Sequence, residues 1–174
     1  MGCVVALKEK ATMYIASDSL VPTTYGYVEL NYPKFEFNDA GIDKQVCICC
    51  TGDLEFMQIA HVTPINHGEQ LFNKDIIDWS LKLKYLIHSR PESYDKLKYQ
   101  CMVVGNGHIW SFDENHFVVE HKNDYFAIGT GAQFALGYLD SQPDLSALMK
   151  VKGAVIITSK RDRQTGGKVH TQTI

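Results

Sequence analysis

The chain has 174 residues, a length that suits one domain with one sizeable core and is short for two. Hydrophobic residues make up 45% and charged residues 21%, ordinary values for a globular protein, which sets aside disorder, collagen-like repeats and coiled coil. Lys and Arg number 17 against 20 Asp and Glu, a net charge of −3 with neutral His; without a basic excess to neutralise phosphates, nucleic acid is not the expected partner.

The chain opens with two β-rich runs, 3–7 and 12–16, separated by the polar Lys8, Glu9 and Lys10, a hairpin pattern. A Tyr- and Pro-containing segment follows over 21–33, in which Tyr25, Tyr27 and Tyr32 fit a half-exposed strand and its end. Residues 34–38 alternate polar with Phe, and Asp39, Ala40 and Gly41 supply turn chemistry before a buried strand over 45–50. Asp53 marks a helix start, with Leu54, Phe56, Met57, Ile59 and Ala60 forming an apolar face up to Pro64. A second helix is predicted over 75–89, with Ile76, Ile77, Trp79, Leu81, Leu83 and Leu86 supplying a buried stripe. Three strands then form a meander over 100–104, 108–112 and 117–120, with turns at Gly105, Asn106, Gly107 and at Asp113, Glu114, Asn115. A strand ending near Ile128 passes through Gly129, Thr130 and Gly131 into a helix carrying Phe134, Ala135, Leu136 and Tyr138. A last helix is predicted over 145–159 and a closing strand over 169–173. This order predicts an α+β chain in which two antiparallel sheets pack together and are covered by helices on both sides.

The five cysteines, Cys3, Cys47, Cys49, Cys50 and Cys101, are odd in number, with three crowded into one strand, a poor disulfide framework; reduced thiols are expected. Zinc fits badly, because Cys49 and Cys50 point to opposite faces of a strand. The seven histidines show no metal-ligand spacing, and Gly129, Thr130, Gly131 lacks the lysine of a nucleotide loop, so neither metal nor cofactor is expected. No apolar run approaches the roughly 18 residues that span a bilayer, and the N-terminus lacks a basic segment followed by an apolar stretch, so the expectation is a cytoplasmic protein without a membrane partner.

Several pieces in this order resemble the proteasome β-subunit family of N-terminal nucleophile hydrolases. The opening Met1, Gly2, Cys3, Val4, Val5 is similar to that of the small proteasome-like proteins of bacterial and phage genomes. Ile15, Ala16, Ser17, Asp18, Ser19 resembles the family's strand ending in a small residue and an aspartate, and Pro33, Lys34, Phe35 its buried lysine. Ala127, Ile128, Gly129, Thr130, Gly131 with Ala135, Leu136, Gly137 resembles its Ala-Ile-Gly-Ser-Gly turn and helix, and Asp162, Arg163, Gln164, Thr165, Gly166 its Asp-x-x-Ser-Gly.

The resemblance implies a four-layer αββα sandwich over residues 1–174 and hydrolysis of peptide or amide bonds. It also implies a homo-oligomer such as a ring and, for a phage-encoded protein, residence in the host cytoplasm. In such enzymes the N-terminal residue carries the nucleophile and its α-amine, with an unperturbed pKa near ~7.7 to 8.0, serves as general base. The resemblance gives Lys34 with Asp18 the role of placing positive charge beside the nucleophile, and Thr130, Asp162 and Thr165 that of orienting the amine.

Two departures open alternatives. Asp18 and Lys34 lie 16 and 32 residues after Gly2, the family's spacing from its nucleophile, so Gly2, which has no side chain, occupies that register. Alternatively Cys3 is the nucleophile, exposed by removal of Met1 and Gly2, with a hairpin one residue shorter. The family's oxyanion-binding glycine falls at Cys49 or Cys50, which still offer backbone N–H groups. Two functions remain open: an amide hydrolase, or an inactive relative, such as a phage or bacterial accessory protein, that binds a protein or small molecule. The surplus of apolar positions on the helices carrying Met57 and Ile59 and carrying Trp79 and Leu83 predicts a face turned to another subunit.

Overall fold

A computed structural model of the chain describes residues 2–23, 26–39, 45–67, 70–89 and 97–174. Among the described residues, eleven strands and four helices follow in the order β1 (Val4–Glu9), β2 (Thr12–Ser17), β3 (Leu20–Thr23), β4 (Gly26–Glu29), β5 (Phe35–Asp39), β6 (Gln45–Gly52), α1 (Leu54–Val62), α2 (Asn73–His88), β7 (Tyr99–Gly105), β8 (His108–Asp113), β9 (Val119–His121), β10 (Tyr125–Ile128), α3 (Ala132–Ser141), α4 (Ala147–Ser159) and β11 (His170–Thr173). One sheet has the order β10-β1-β2-β11 and a second the order β5-β6-β7-β8-β9, with antiparallel pairing throughout; β3 and β4 form a separate hairpin.

The layering follows from the period of two along the strands. On β1, Cys3, Val5 and Leu7 join Ala135, Leu139, Val151, Ala154 and Val155 of α3 and α4, whereas Val4 and Ala6 face the other sheet. On β6, Cys47 and Cys49 face the first sheet, whereas Val46, Ile48 and Cys50 lie under Phe56, Trp79 and Leu83 of α1 and α2. Both central strands are buried on both faces, and the result is the four-layer αββα arrangement expected from the sequence. Asn106 and Gly107, both at positive φ, turn β7 into β8 as their composition requires.

Local details differ from the sequence reading. The segment 21–33 holds the β3–β4 hairpin, with Tyr27 and Tyr32 about half exposed; Tyr25 lies outside the described residues, as do Ala40 and Gly41. Asp53 is the N-cap of α1, but its carboxylate accepts the Lys98 N–H at 2.6 Å instead of capping the helix, tying α1 to the start of β7. Helix α2 begins two residues before Asp75, because the Asp75 carboxylate turns back to accept the Phe72 N–H at 2.8 Å. Strand β9 starts at Val119 instead of residue 117: His116 adopts a left-handed conformation and Phe117 is left largely exposed. Ile76, Trp79 and Leu83 of the expected stripe are buried in this chain's own core. The outward apolar positions of α2 are Ile77, Leu81 and Tyr85, four residues apart on one stripe.

Candidate active site

Antiparallel pairing gathers the candidate residues at one end of the sandwich. The start of β1, the end of β2, the end of β10 and the start of β11 all lie at that edge of the first sheet, with Val4 opposite both Ser17 and Ile128 and His170 opposite Ser17. In the second sheet, the start of β5 brings Lys34 to the same end, where its carbonyl accepts the Cys50 N–H at 2.9 Å.

Asp18 and Lys34 form a fully buried ion pair, Nζ to Oδ1 2.7 Å. The remaining lone pairs of Asp18 are taken by backbone donors: Cys3 N–H to Oδ1 at 2.8 Å, and Leu20 N–H at 3.2 Å and Gly166 N–H at 3.0 Å to Oδ2. Lys34 also donates from Nζ to the Leu20 carbonyl at 2.5 Å, while its N–H reaches Ser17 Oγ at 3.2 Å. Burial pulls the lysine below its ordinary range, against the opposing attraction of Asp18.

Gly2 sits against this pair. Its φ is +98°, and a Cβ built there would lie 2.0 Å from Lys34 Nζ and 2.6 Å from Asp18 Oδ1. The lysine head thus fills the space that a side chain at the nucleophile register requires. On the other side, the Gly2 carbonyl accepts the Gly131 N–H at 3.4 Å, and a Cβ on Gly129 would lie 2.0 Å from that oxygen, so the turn after β10 depends on glycine to approach. Beside Gly131, Asp162 Oδ2 accepts the hydroxyls of Thr130 at 2.6 Å and Thr165 at 2.7 Å, while its Oδ1 accepts the Gln164 N–H at 3.1 Å. Partial burial pushes the Asp162 carboxyl up, but these three donors prevail and hold it below the usual carboxylate range.

Cys3 lies one residue further in, and its side chain faces the other way. Its thiol is packed against α3 and α4 and is pushed up to about 12 by burial and by the Asp18 charge. Cys49 and Cys50 lie within β6, not at its end. The Cys50 N–H is committed to Lys34, and the alternation of hydrogen-bonded pairs turns the Cys49 N–H toward Met102 of β7, so the ladder occupies both donors expected for an oxyanion. Their side chains are buried; Cys50 Sγ lies 3.8 Å from Cys101 Sγ.

The sequence reading did not single out Ser17, Gly166 or Gln100. Ser17 and Gly166 hold the ion pair from outside, and Gln100 Oε1 accepts the Gly129 N–H at 2.7 Å. Ser17 and Gly166 were visible beside Asp18 and Thr165; nothing in the sequence marks Gln100, which reaches the turn from the other sheet.

Comparison with solved structures finds this fold over nearly the whole chain. HslV from Trypanosoma brucei matches with a TM-score of 0.75 at 14% identity, covering 98% of each chain. BPH from Thiobacillus denitrificans, in complex with epoxomicin, matches with a TM-score of 0.74 at 18% identity, covering 99% of this chain and 97% of that one. The Anbu complex of Pseudomonas aeruginosa, a helical assembly, matches with a TM-score of 0.78 at 14% identity, covering 99% of this chain and 80% of that one. The fold is that of the proteasome-like N-terminal nucleophile hydrolases. No family model and no curated protein matches the chain, so at these identities the comparison establishes the proteasome-like fold and leaves activity to the site itself.

Two outcomes follow from the site. Asp18→Ala leaves a buried ammonium without its partner and is expected to lower the unfolding free energy by about 3–5 kcal/mol in denaturant titration, with much of the loss recovered in the Asp18→Leu/Lys34→Met double variant. Asp162 has a depressed folded pKa, so its contribution to stability is complete above its unfolded value near ~3.9 and is lost as pH falls through the folded value. Asp162→Asn is therefore expected to flatten the acid limb of the stability profile below about pH 4, measured by thermal melts across pH.

Proposed function

We propose that this chain uses the proteasome-like fold for binding, with no hydrolytic step at residue 2. One observation carries the reading: the position that would bear the nucleophile is Gly2, and Lys34 Nζ occupies the volume a side chain there would need. The Asp18–Lys34 pair then serves as a structural clamp on the start of β1, and the Thr130–Asp162–Thr165 cluster holds the neighbouring turn. A second reading keeps hydrolysis through Cys3 after loss of Met1 and Gly2. The contact from Cys3 N–H to Asp18 favours it, since a freed amine would lie there. Against it, a carboxylate at 2.8 Å would hold that amine protonated and unable to act as a base, and the thiol faces α4.

Epoxomicin, found in complex with Thiobacillus denitrificans BPH, supplies an electrophilic probe. Intact-mass spectrometry of protein from its native cell, incubated with epoxomicin or iodoacetamide, is expected to show no adduct at pH 8, with fluorogenic peptide turnover no greater than that of Lys34→Ala. A mass lacking residues 1–2, carrying one adduct at Cys3 that disappears in Lys34→Ala, overturns the binding reading in favour of hydrolysis.

The chain is also proposed to self-associate. The stripe of Ile77, Leu81 and Tyr85, between about two-fifths and three-quarters exposed, and the outward Leu148, Met149 and Ile156 of α4 leave apolar surface on both helical layers. The helical assembly of Pseudomonas aeruginosa Anbu supports an assembly built from this fold. Light scattering at micromolar concentration is expected to give a mass above one chain, reduced by Leu81→Glu with Tyr85→Lys; a monomeric mass for the unaltered chain removes the proposal.

A further inference from the structure

The two sheets do not end together. Beyond β10, which is an edge strand, the second sheet continues with β8 and β9, and its inner face carries Ser111, Asp113 and Val119 out past the first sheet. A groove of about 560 Å³ lies over this overhang, walled by 126–129 on one side and closed above by Ala132 and Gln133 at the start of α3. Val119 and Phe117, on its rim, are about 51% and 79% exposed.

The edge of β10 in that groove is set by register. The Lys8 N–H donates to the Asp124 carbonyl, so the pairs of Lys8 with Asp124, Ala6 with Phe126 and Val4 with Ile128 are the hydrogen-bonded ones. Tyr125, Ala127 and Gly129 therefore turn their N–H and C=O groups away from β1, into the groove. For Gly129 the outward N–H is satisfied by Gln100 Oε1 at 2.7 Å, a side-chain amide standing where a neighbouring strand's carbonyl would stand. Ala127 is only 3% exposed, and its outward N–H and C=O have no partner among the described residues. Such outward backbone groups of an edge strand are what an added strand pairs with.

We propose that the groove binds an extended peptide segment of a partner protein as an added antiparallel strand, one residue of which exchanges both hydrogen bonds with Ala127, with a lysine or arginine reaching Asp113 and an apolar side chain covering Val119. Charge selects the cationic residue: among the described residues Asp113 is the one ionic side chain lining the groove, and Lys98, just before β7, is paired with Glu114 at 2.8 Å. Direction follows from place. The residue opposite Ala127 faces the helices, its two neighbours face the overhang, and in antiparallel pairing the preceding neighbour lies at the Gly129 end. Gln100 joins that end to Asp113, opposite it on β8. The segment is thus basic, any residue, apolar in order, and the inference stands whether or not residue 2 or 3 is catalytic.

The probe is the acetylated, amidated peptide Thr-Lys-Thr-Val-Thr bearing fluorescein, read by anisotropy against the full chain, with the Ala127 amide followed by NMR. Binding is expected with a shift of the Ala127 amide. N-methylation of the central Thr nitrogen is expected to weaken binding at least tenfold, whereas N-methylation of the Lys nitrogen, which points away from β10, changes it by less than about threefold. Asp113→Asn is expected to cost about tenfold for this peptide and little for its norleucine analogue, with circular dichroism confirming an intact fold. Absence of binding at millimolar peptide, equal effects of the two N-methyl groups, or an unmoved Ala127 amide overturns the proposal.

Discussion

The architecture of the site depends on a single buried charge pair. A lysine head and a carboxylate removed from water are sustained only when each lone pair and proton is answered, and here the answers come from segments far apart in sequence: Cys3, Leu20 and Gly166 donate to Asp18, and Leu20 accepts from Lys34. The pair therefore fixes the start of β1, the β2–β3 connection, the lead into β5 and the loop before β11 relative to one another.

That pairing is internal to the fold. Lys34 Nζ meets a carboxylate and a carbonyl, and Gly2 at positive φ lies against it, so the polar groups at this end of the sandwich are answered from within the chain. The nearest thiol, on Cys3, follows the strand alternation into the helical layer, where burial suppresses its ionisation. Moving one position along a strand reverses the face, so Gly2 lies against the Asp18–Lys34 pair with no side chain, whereas the Cys3 side chain is buried on the opposite face.

The same alternation explains the groove. The helices and the inner strands leave no face of β1, β2, β6 or β7 uncovered, but a four-strand sheet on a five-strand sheet leaves one margin unmatched. Gln100 meets part of the resulting demand at Gly129, and Ala127 retains the rest.

The sequence by itself determined the order of the main strands and helices and their layering as two helix-covered antiparallel sheets, while Asp18, Lys34, Thr130, Asp162 and Thr165 stood out through motifs that resemble the proteasome β-subunit family. The order rests on local signals: short apolar, β-rich runs in β1, β2 and β6 and glycine and asparagine at the β7–β8 turn. Tertiary structure decided what those residues do. The direction of the Cys3 thiol, the commitment of the Cys50 N–H to Lys34 and the burial of Trp79 and Leu83 in this chain's own core depend on which strand or helix lies alongside. So does the overlap of Lys34 Nζ with the side-chain position of residue 2. Such facts belong to pairs of residues separated by tens of positions, and no local pattern of polarity encodes a distance between them.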